Sequence, residues 1–275
     1  MEPFEDIVYA KQDRIAHITI NRPQVLNAIR PKTQMELVAA VRDFNEDPDV
    51  WVAVVSGTGD RAFCSGWDLN DANRDPEGYE DYERRRVATR STVFGHLSNM
   101  NSGDLPQEVW KPIIAAVRGH CLGGGFELAL NCDFVVAAED AHFGLPEVTH
   151  GWPPGSSHFT LPRKLPLNIA MELLLIGDPI DARRAYEVGL VNRVVPADKV
   201  AETADALARR LCQNAPLGVQ AAKELILRGR DLPFNYPTLA WHLYGGVKRK
   251  VDESDDRKEG MRAFAEKRKP EFKGR

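Results

Sequence analysis

The sequence predicts an α/β fold, and three features carry the prediction: continuous apolar, β-rich runs at residues 50–55 and 112–117, glycine-bearing turns that follow such runs, and segments of helical period between them. A run that is apolar at every position suits a strand covered on both faces, the situation parallel sheets provide. The order strand, turn, helix, strand across residues 112–138 implies right-handed crossover units.

Taken in order, residues 14–20 place Ile15, Ile18 and Ile20 among polar neighbours, and Asn21-Arg22-Pro23 ends this first strand. From Pro31 the spacing of Met35, Leu37, Val38, Val41 and Phe44 is helical, and Asp47-Pro48-Asp49 stops it. Residues 68–107 are polar and densely charged, with Arg84-Arg85-Arg86 among them, and read as helices and loops lying over a site; a solvated helix face accounts for the three arginines. The strand at 112–117 leads into Gly123-Gly124-Gly125 and an apolar helix at 126–131, followed by a strand at 134–138. A helix at 182–188, capped by Gly189, precedes a last short strand at 190–195. From Pro196 the chain is helical with proline breaks and ends in the basic tail 267–275. Residues 1–200 are read as the core that carries the active site and 201–275 as a C-terminal helical segment for oligomerisation and ligand contact.

With 275 residues, 43% of them hydrophobic, the chain can bury a large core. A net charge of −4 gives no general attraction for nucleic acid or anionic lipid. No apolar run reaches membrane-spanning length, and residues 1–6 carry three acids and no basic, apolar leader, so a cytoplasmic location is expected. Cys64, Cys121, Cys132 and Cys212 form no C-x-x-C pair and are expected to be reduced. The histidines show no metal-binding spacing, so no metal is expected.

The strongest local signal is Arg118-Gly119-His120-Cys121-Leu122-Gly123-Gly124-Gly125-Phe126-Glu127-Leu128, where three glycines separate a buried strand from a helix start. Glycine lets a ligand approach the backbone, and first-turn N–H groups lack partners within the helix. Its dipole also favours negative charge there, which makes an oxyanion site; tight strand–helix packing is the competing explanation. Ala62-Phe63-Cys64-Ser65-Gly66-Trp67-Asp68-Leu69 offers a second exposed backbone, although alone it reads as a surface loop. Should the amides of Trp67 and Gly124 converge on one oxygen, they form the two-donor hole that enolate chemistry requires. Glu127 sits where the helix dipole favours ionisation, whereas Glu147 follows an apolar, proline-bent stretch that favours its protonated form. Two carboxyls with separated proton affinities suit acid–base work on one water. Helix stabilisation for Glu127 and a surface loop position for Glu147 stay open beside that reading.

In order and spacing, R-A-F-C-S-G-W-D-L at 61–69, G-H-C-L-G-G-G-F-E-L-A at 119–129 and F-G-L-P-E at 143–147 resemble motifs of the enoyl-CoA hydratase (crotonase) superfamily. Ile20-Asn21-Arg22-Pro23 with Leu26-Asn27-Ala28, Gly189-Leu190-Val191 and Phe264-Ala265-Glu266-Lys267-Arg268 also resemble its landmarks, and the SGWDL and FAEKR segments are most similar to the carnitinyl-CoA dehydratase branch. The resemblance implies a spiral of ββα units with a C-terminal helical trimerisation segment, a homotrimer or dimer of trimers, and an acyl-coenzyme A substrate, with coenzyme A part of the substrate and no separate cofactor. It implies that the Trp67 and Gly124 amides polarise the thioester carbonyl while Glu127 and Glu147 hold and split the water. Substrate contacts are implied at Leu26, Ala28, Ala62, Phe63, Cys64 and Gly66, and further at Asp68, Leu69, Gly123 and Trp152. Phe264 and Lys267 are implied to reach the coenzyme from a neighbouring subunit. The implied activity is hydration of a 2-enoyl-CoA or its reverse; carnitinyl-CoA dehydration, isomerisation and thioester hydrolysis on the same scaffold are the alternatives. Residues 151–158 depart from the family's small, glycine-rich loop, and Trp67 and Trp152 either face a quaternary ammonium or pack, the reading the sequence favours.

Three rival readings compete. Gly57-Thr58-Gly59-Asp60-Arg61-Ala62 formally matches a dinucleotide-binding turn but lacks a helical segment after it. Ser157 with His158, or Cys121 with His120, would make a hydrolase, though no G-x-S-x-G elbow exists. RNA binding through Arg84–Arg86 or the basic tail is the non-enzymatic rival.

Overall fold

The computed structural model describes residues 4–74, 77, 109–230, 232 and 237–275. The arginine run 84–86 lies outside the described residues, as does most of the charged stretch 68–107.

Two sheets organise the core. The larger runs in the order β1 (Ile7–Gln12), β2 (Ile15–Ile20), β3 (Val52–Gly57), β5 (Ile113–Val117), β7 (Phe134–Ala138) and β10 (Arg193–Val195). The smaller contains β4 (Ala62–Cys64), β6 (His120–Leu122), β8 (His142–Gly144) and β9 (Ile180–Asp181). From β2 to β10 every pairing in the larger sheet is parallel, and Ile15 faces Val52 while Ala53 faces Ile113. Being fully apolar, β5 is buried along its whole length, which is why its sequence shows no alternation.

The chain winds by repeating one step. A long strand in the first sheet is followed by a short strand in the second and then a helix: β3 and β4 lead to α2 (Leu69–Arg74), and β5 and β6 lead to α3 (Gly124–Leu130). After β7 and β8 come a 3-10 turn (Pro146–His150), α4 (Ser157–Thr160) and α5 (Leu167–Ile176). This is the spiral of ββα units expected. Helix α1 (Pro31–Glu46) buries Leu37, Val38, Val41 and Phe44 of the five residues whose spacing predicts it, whereas Met35 is exposed. Beyond α6 (Ala182–Glu187), α7 (Val200–Leu211) packs against β3, β5 and β7. Helices α8 (Pro216–Gly229), α9 (Pro237–Asp252) and α10 (Asp255–Glu266) complete the C-terminal part.

Several expectations are corrected. β1 is an additional strand, antiparallel to β2 across a turn in which Asp13 and Arg14 both take positive φ. That is a two-residue hairpin turn made without the glycine or asparagine that signals one. The last strand covers Arg193–Val195 rather than 190–195. Most important for the site, α3 starts at Gly124, two residues before the apolar run, so the glycines themselves form its first turn. The basic tail is also no loose end: Asp256 accepts the N–H groups of Lys273 and Gly274 at 2.7 and 2.8 Å, and Phe272 packs against the core. Arg268 pairs with Glu259 and holds its carboxyl well below the usual range.

Candidate active site

The loop after β4 is fixed by backbone bonds from the segment before α1. Ser65 N–H donates to Leu26 O at 3.1 Å, Ile29 N–H to Gly66 O at 2.8 Å, and Asp68 N–H to Ile29 O at 2.9 Å. Leu26 and Asn27 adopt left-handed backbone to present these groups. Two buried side chains brace the segment. Asn27 accepts from Arg22 N–H at 3.0 Å and donates to Thr58 O at 3.0 Å and Ala62 O at 2.8 Å, while Arg22 donates to Ala28 O and to Asp68 Oδ2 at 2.9 Å. The Trp67 peptide therefore sits in a loop with little freedom.

This loop touches the start of α3. Gly66 has φ +101°, and a Cβ there would lie 3.2 Å from Leu122 O and 3.4 Å from Gly124 N, so Gly66 and Gly124 are backbone neighbours. Glycine is required a second time at Gly125, where a Cβ would fall 2.3 Å from Cys64 O. The two explanations of the glycine run thus apply to different residues: Gly125 serves packing, and Gly124 places a first-turn N–H beside the Gly66–Trp67 peptide. Gly123, the residue before the helix, is anchored by its N–H to Gly144 O at 2.9 Å.

Both glutamates meet this turn. Glu127 is 5% exposed, on the first turn of α3, and its Oε1 accepts the Ser157 N–H at 2.8 Å. A Cβ on Gly155 would come within 2.9 Å of its Oε2, so residues 155–157 wrap the carboxylate. Glu147 stands on the Pro146–His150 turn, with Oε1 3.3 Å from where a Cβ on Gly123 would lie. Its Oε2 is buried with no hydrogen-bond partner among the described residues. Burial raises the Glu147 pKa and the Glu127 charge raises it further, against its own backbone N–H, which opposes the shift most, and His150 and His158. The arrangement holds one carboxylate with a backbone donor and a second, desolvated carboxyl beside the same glycine turn.

Other residues read from the sequence fall into different places. The side chains of Ala62, Phe63 and Cys64 are buried, so any contact they make with a ligand comes from their backbone. Asp68 is engaged by Arg22 and by the Asp71 N–H at 3.1 Å, and braces the loop. Leu26 is half-buried, Ala28 buried and Leu69 partly exposed on α2. Trp67 packs against the core, while Trp152, joined to Glu147 O by its N–H at 3.0 Å, is 53% exposed. Phe264 lies exposed near the end of α10 and Lys267 caps that helix, in the C-terminal part rather than on the glycine turn. Sequence reasoning passes over Gly155 as a functional residue, touches Ser157 only as a nucleophile beside His158, and takes Arg22 and Asn27 only as family landmarks; the departure of residues 151–158 from the family pattern is the signal that touches both Gly155 and Ser157.

The dinucleotide and hydrolase sites do not form. Gly57 ends β3 and the chain continues into β4, not into the helix a dinucleotide turn needs. Cys121 is buried, its thiol is pushed well up by desolvation, and its Sγ lies 3.6 Å from Gly125 O. His158 Nδ1 bonds Gly155 O at 3.0 Å rather than Ser157. Among the described residues no group of three or more His, Cys, Asp or Glu is placed to hold a metal, and no helix is long and apolar enough to cross a membrane.

The sequence pattern of the enoyl-CoA hydratase/isomerase family matches residues 10–275. The chain belongs to that family. It is 36% identical to an (E)-benzylidenesuccinyl-CoA hydratase from Thauera aromatica, over 95% of this chain and 96% of that one. To a carnitinyl-CoA dehydratase from Salmonella typhi it is 36% identical, over 98% and 99% of the two chains. The crystal structure of an enoyl-CoA hydratase from Bacillus anthracis superposes with a TM-score of 0.86 at 33% identity, covering 98% of this chain and all of that one. The shared architecture of this enoyl-CoA hydratase/isomerase family member is therefore that of the crotonase fold.

The Glu147 environment has a consequence for stability. Because its folded pKa is raised, ionisation adds no cost to folding while the carboxyl is protonated in both states, below its ordinary value of 4.5; the cost grows as pH rises from there and is complete once pH has passed the folded value. In urea unfolding, Glu147→Gln is expected to be more stable than the parent at about pH 8 and equal to it at about pH 4. Equal stability at both pH values would contradict the buried, desolvated placement.

Proposed function

We propose that this family member is an enoyl-CoA hydratase that adds water across the 2,3-double bond of an acyl-coenzyme A thioester, or removes it in reverse. The observation that carries the reading is the pairing of Glu127, in the first turn of α3, with Glu147, whose Oε1 lies beside Gly123, at one glycine turn whose Gly124 N–H adjoins the Gly66–Trp67 peptide. Isomerisation needs one proton-transferring group, and hydration uses two.

The thioester carbonyl accepts hydrogen bonds from the Trp67 and Gly124 amides. As the β-carbon is attacked, charge builds on that oxygen as an enolate, and these bonds strengthen together with the attraction of the α3 N-terminus. They therefore stabilise the transition state more than the substrate. Glu127 enters ionised and takes a proton from the water as its oxygen bonds to the β-carbon. Glu147, whose burial favours the protonated form, delivers a proton to the α-carbon. One O–H and the carbon–carbon π bond break while one C–O and one C–H bond form, and dehydration follows the same path backwards. The two titrations are coupled through space, so a pH–rate profile reports the pair. No cofactor takes part: coenzyme A is the substrate's own handle.

Exposed apolar residues on α9 and α10, among them Leu239, Trp241, Tyr244, Met261 and Phe264, support a homotrimer or dimer of trimers in which Phe264 and Lys267 reach a neighbour's coenzyme. A cytoplasmic site of action and no nucleic-acid partner fit the net charge of −4. The relatives' names extend the candidate acyl groups to aryl-substituted succinyl and carnitinyl chains. Trp67 packing against the core weighs against an aromatic cage and leaves the plain 2-enoyl substrate in front.

A panel of 2-enoyl-CoA thioesters, crotonobetainyl-CoA included, is expected to lose conjugated ultraviolet absorbance without added cofactor. Glu127→Gln and Glu147→Gln should each slow this by about 10²- to 10⁴-fold. Thiol release, or double-bond migration without hydration, would overturn the proposal in favour of a hydrolase or an isomerase. Sedimentation should give a particle of three or six 30.7 kDa chains, and a monomer would remove the trimer.

A further inference from the structure

Residues 155–157 wrap Glu127, yet they leave polar atoms unused. Ser157 is 0% exposed, and while its N–H is bonded to Glu127 Oε1 at 2.8 Å, its Oγ is buried with no hydrogen-bond partner among the described residues. Ser156 Oγ is in the same condition, and so is Glu147 Oε2 across the glycine turn. Folded proteins rarely leave such atoms unsatisfied, because burying a hydroxyl or carboxyl oxygen without a partner forfeits its hydration. An unsatisfied hydroxyl on the residue whose N–H is bonded to a carboxylate marks the place of a polar guest.

Ser157 Oγ is confined by its own backbone. Its N–H is fixed on Glu127 Oε1, and the short α4 that begins at Ser157 buries the residue completely, so the hydroxyl is held within one residue's reach of the carboxylate. A hydroxyl offers one donor and two acceptor sites, whereas a carboxylate only accepts. A water donating one hydrogen to Glu127 has a second hydrogen, which needs another acceptor if the oxygen lone pair is to face the β-carbon.

We propose that the Ser157 hydroxyl is that acceptor, so that Ser157 orients the reacting water, fixing which proton leaves to Glu127 and which lone pair attacks. This rests on the hydratase reading. Ser157 makes no covalent bond and holds no proton of the reaction: the transferred proton goes to Glu127, and the hydrogen facing Ser157 stays on the oxygen that becomes the product hydroxyl. The backbone donor to Glu127 and the side-chain acceptor to the water thus come from one residue.

The test compares two reactions of the same enzyme. Hydration of a 2-enoyl-CoA needs the oriented water, whereas exchange of the α-hydrogen of the saturated acyl-CoA in D₂O needs only the amides and a carboxylate that moves the proton. Ser157→Ala and Ser157→Gly keep the N–H and remove the hydroxyl, and each is expected to lower kcat for hydration by about 10- to 100-fold with KM within about twofold. The ratio of hydration to exchange should fall by the same factor, and Ser157→Thr should restore most of it. Hydration within about twofold of the parent in both variants would overturn the inference, as would a loss of hydration and exchange by one common factor, which marks a purely structural serine. A parent enzyme that exchanges the α-hydrogen but hydrates no enoyl-CoA would instead overturn the hydratase reading.

Discussion

The site depends on a close approach of two backbones: the loop carrying Gly66 against the glycine turn that opens α3. Gly66 takes φ +101°, a conformation side chains rarely adopt, and at Gly125 a Cβ would lie 2.3 Å from Cys64 O, so the approach needs glycine on both sides. Each partner is delivered by the spiral itself. A long strand leads across to a short strand of the second sheet, and the turn after that short strand carries the functional backbone. Successive turns of the spiral then lie side by side, because β4 pairs with β6 and β6 with β8. The Gly66 loop, the α3 N-terminus and the Glu147 turn follow these three strands in order, which brings residues as far apart in sequence as Gly66 and Glu147 into one place.

Placement alone does not make the two carboxyls different; their surroundings do. Glu127 stands on the first turn of a helix and receives a backbone N–H from Ser157, both of which favour charge. Glu147 has an oxygen without a partner among the described residues and is desolvated, with the Glu127 charge raising its proton affinity further. The support is layered: Asn27 and Arg22 fix the segment that fixes the Gly66 loop, and Arg22 also holds Asp68.

Much of this is legible in the residues, and the parts that are not share a physical cause. The apolar runs at β3, β5 and β7 announce buried strands because every side chain in them meets a covered face. By contrast β4, β6 and β8 have three residues each, too few for any periodicity to show. The glycine run points to an exposed backbone, but which glycine packs and which presents its N–H follows from where α3 begins, and the apolar pattern places that start two residues late. Phe63 and Cys64 share a motif with Gly66 yet sit in the core, since a motif does not reveal which of its members face inward. Glu127 is recognisable; its Ser157 partner is not, because the bond comes from a main-chain N–H that any residue but proline would supply.

The central claim is that two main-chain N–H groups polarise the ligand's thioester carbonyl. The most direct measurement is the infrared stretch of a ¹³C-labelled thioester carbonyl in a 2-enoyl-CoA bound to Glu127→Gln, in which turnover is slow enough to record it. The account predicts a band at lower frequency than that of the free ligand in water, with the same displacement in Glu147→Gln, because neither carboxyl touches that oxygen. A carbonyl band at its free-solution position in the bound complex would contradict it.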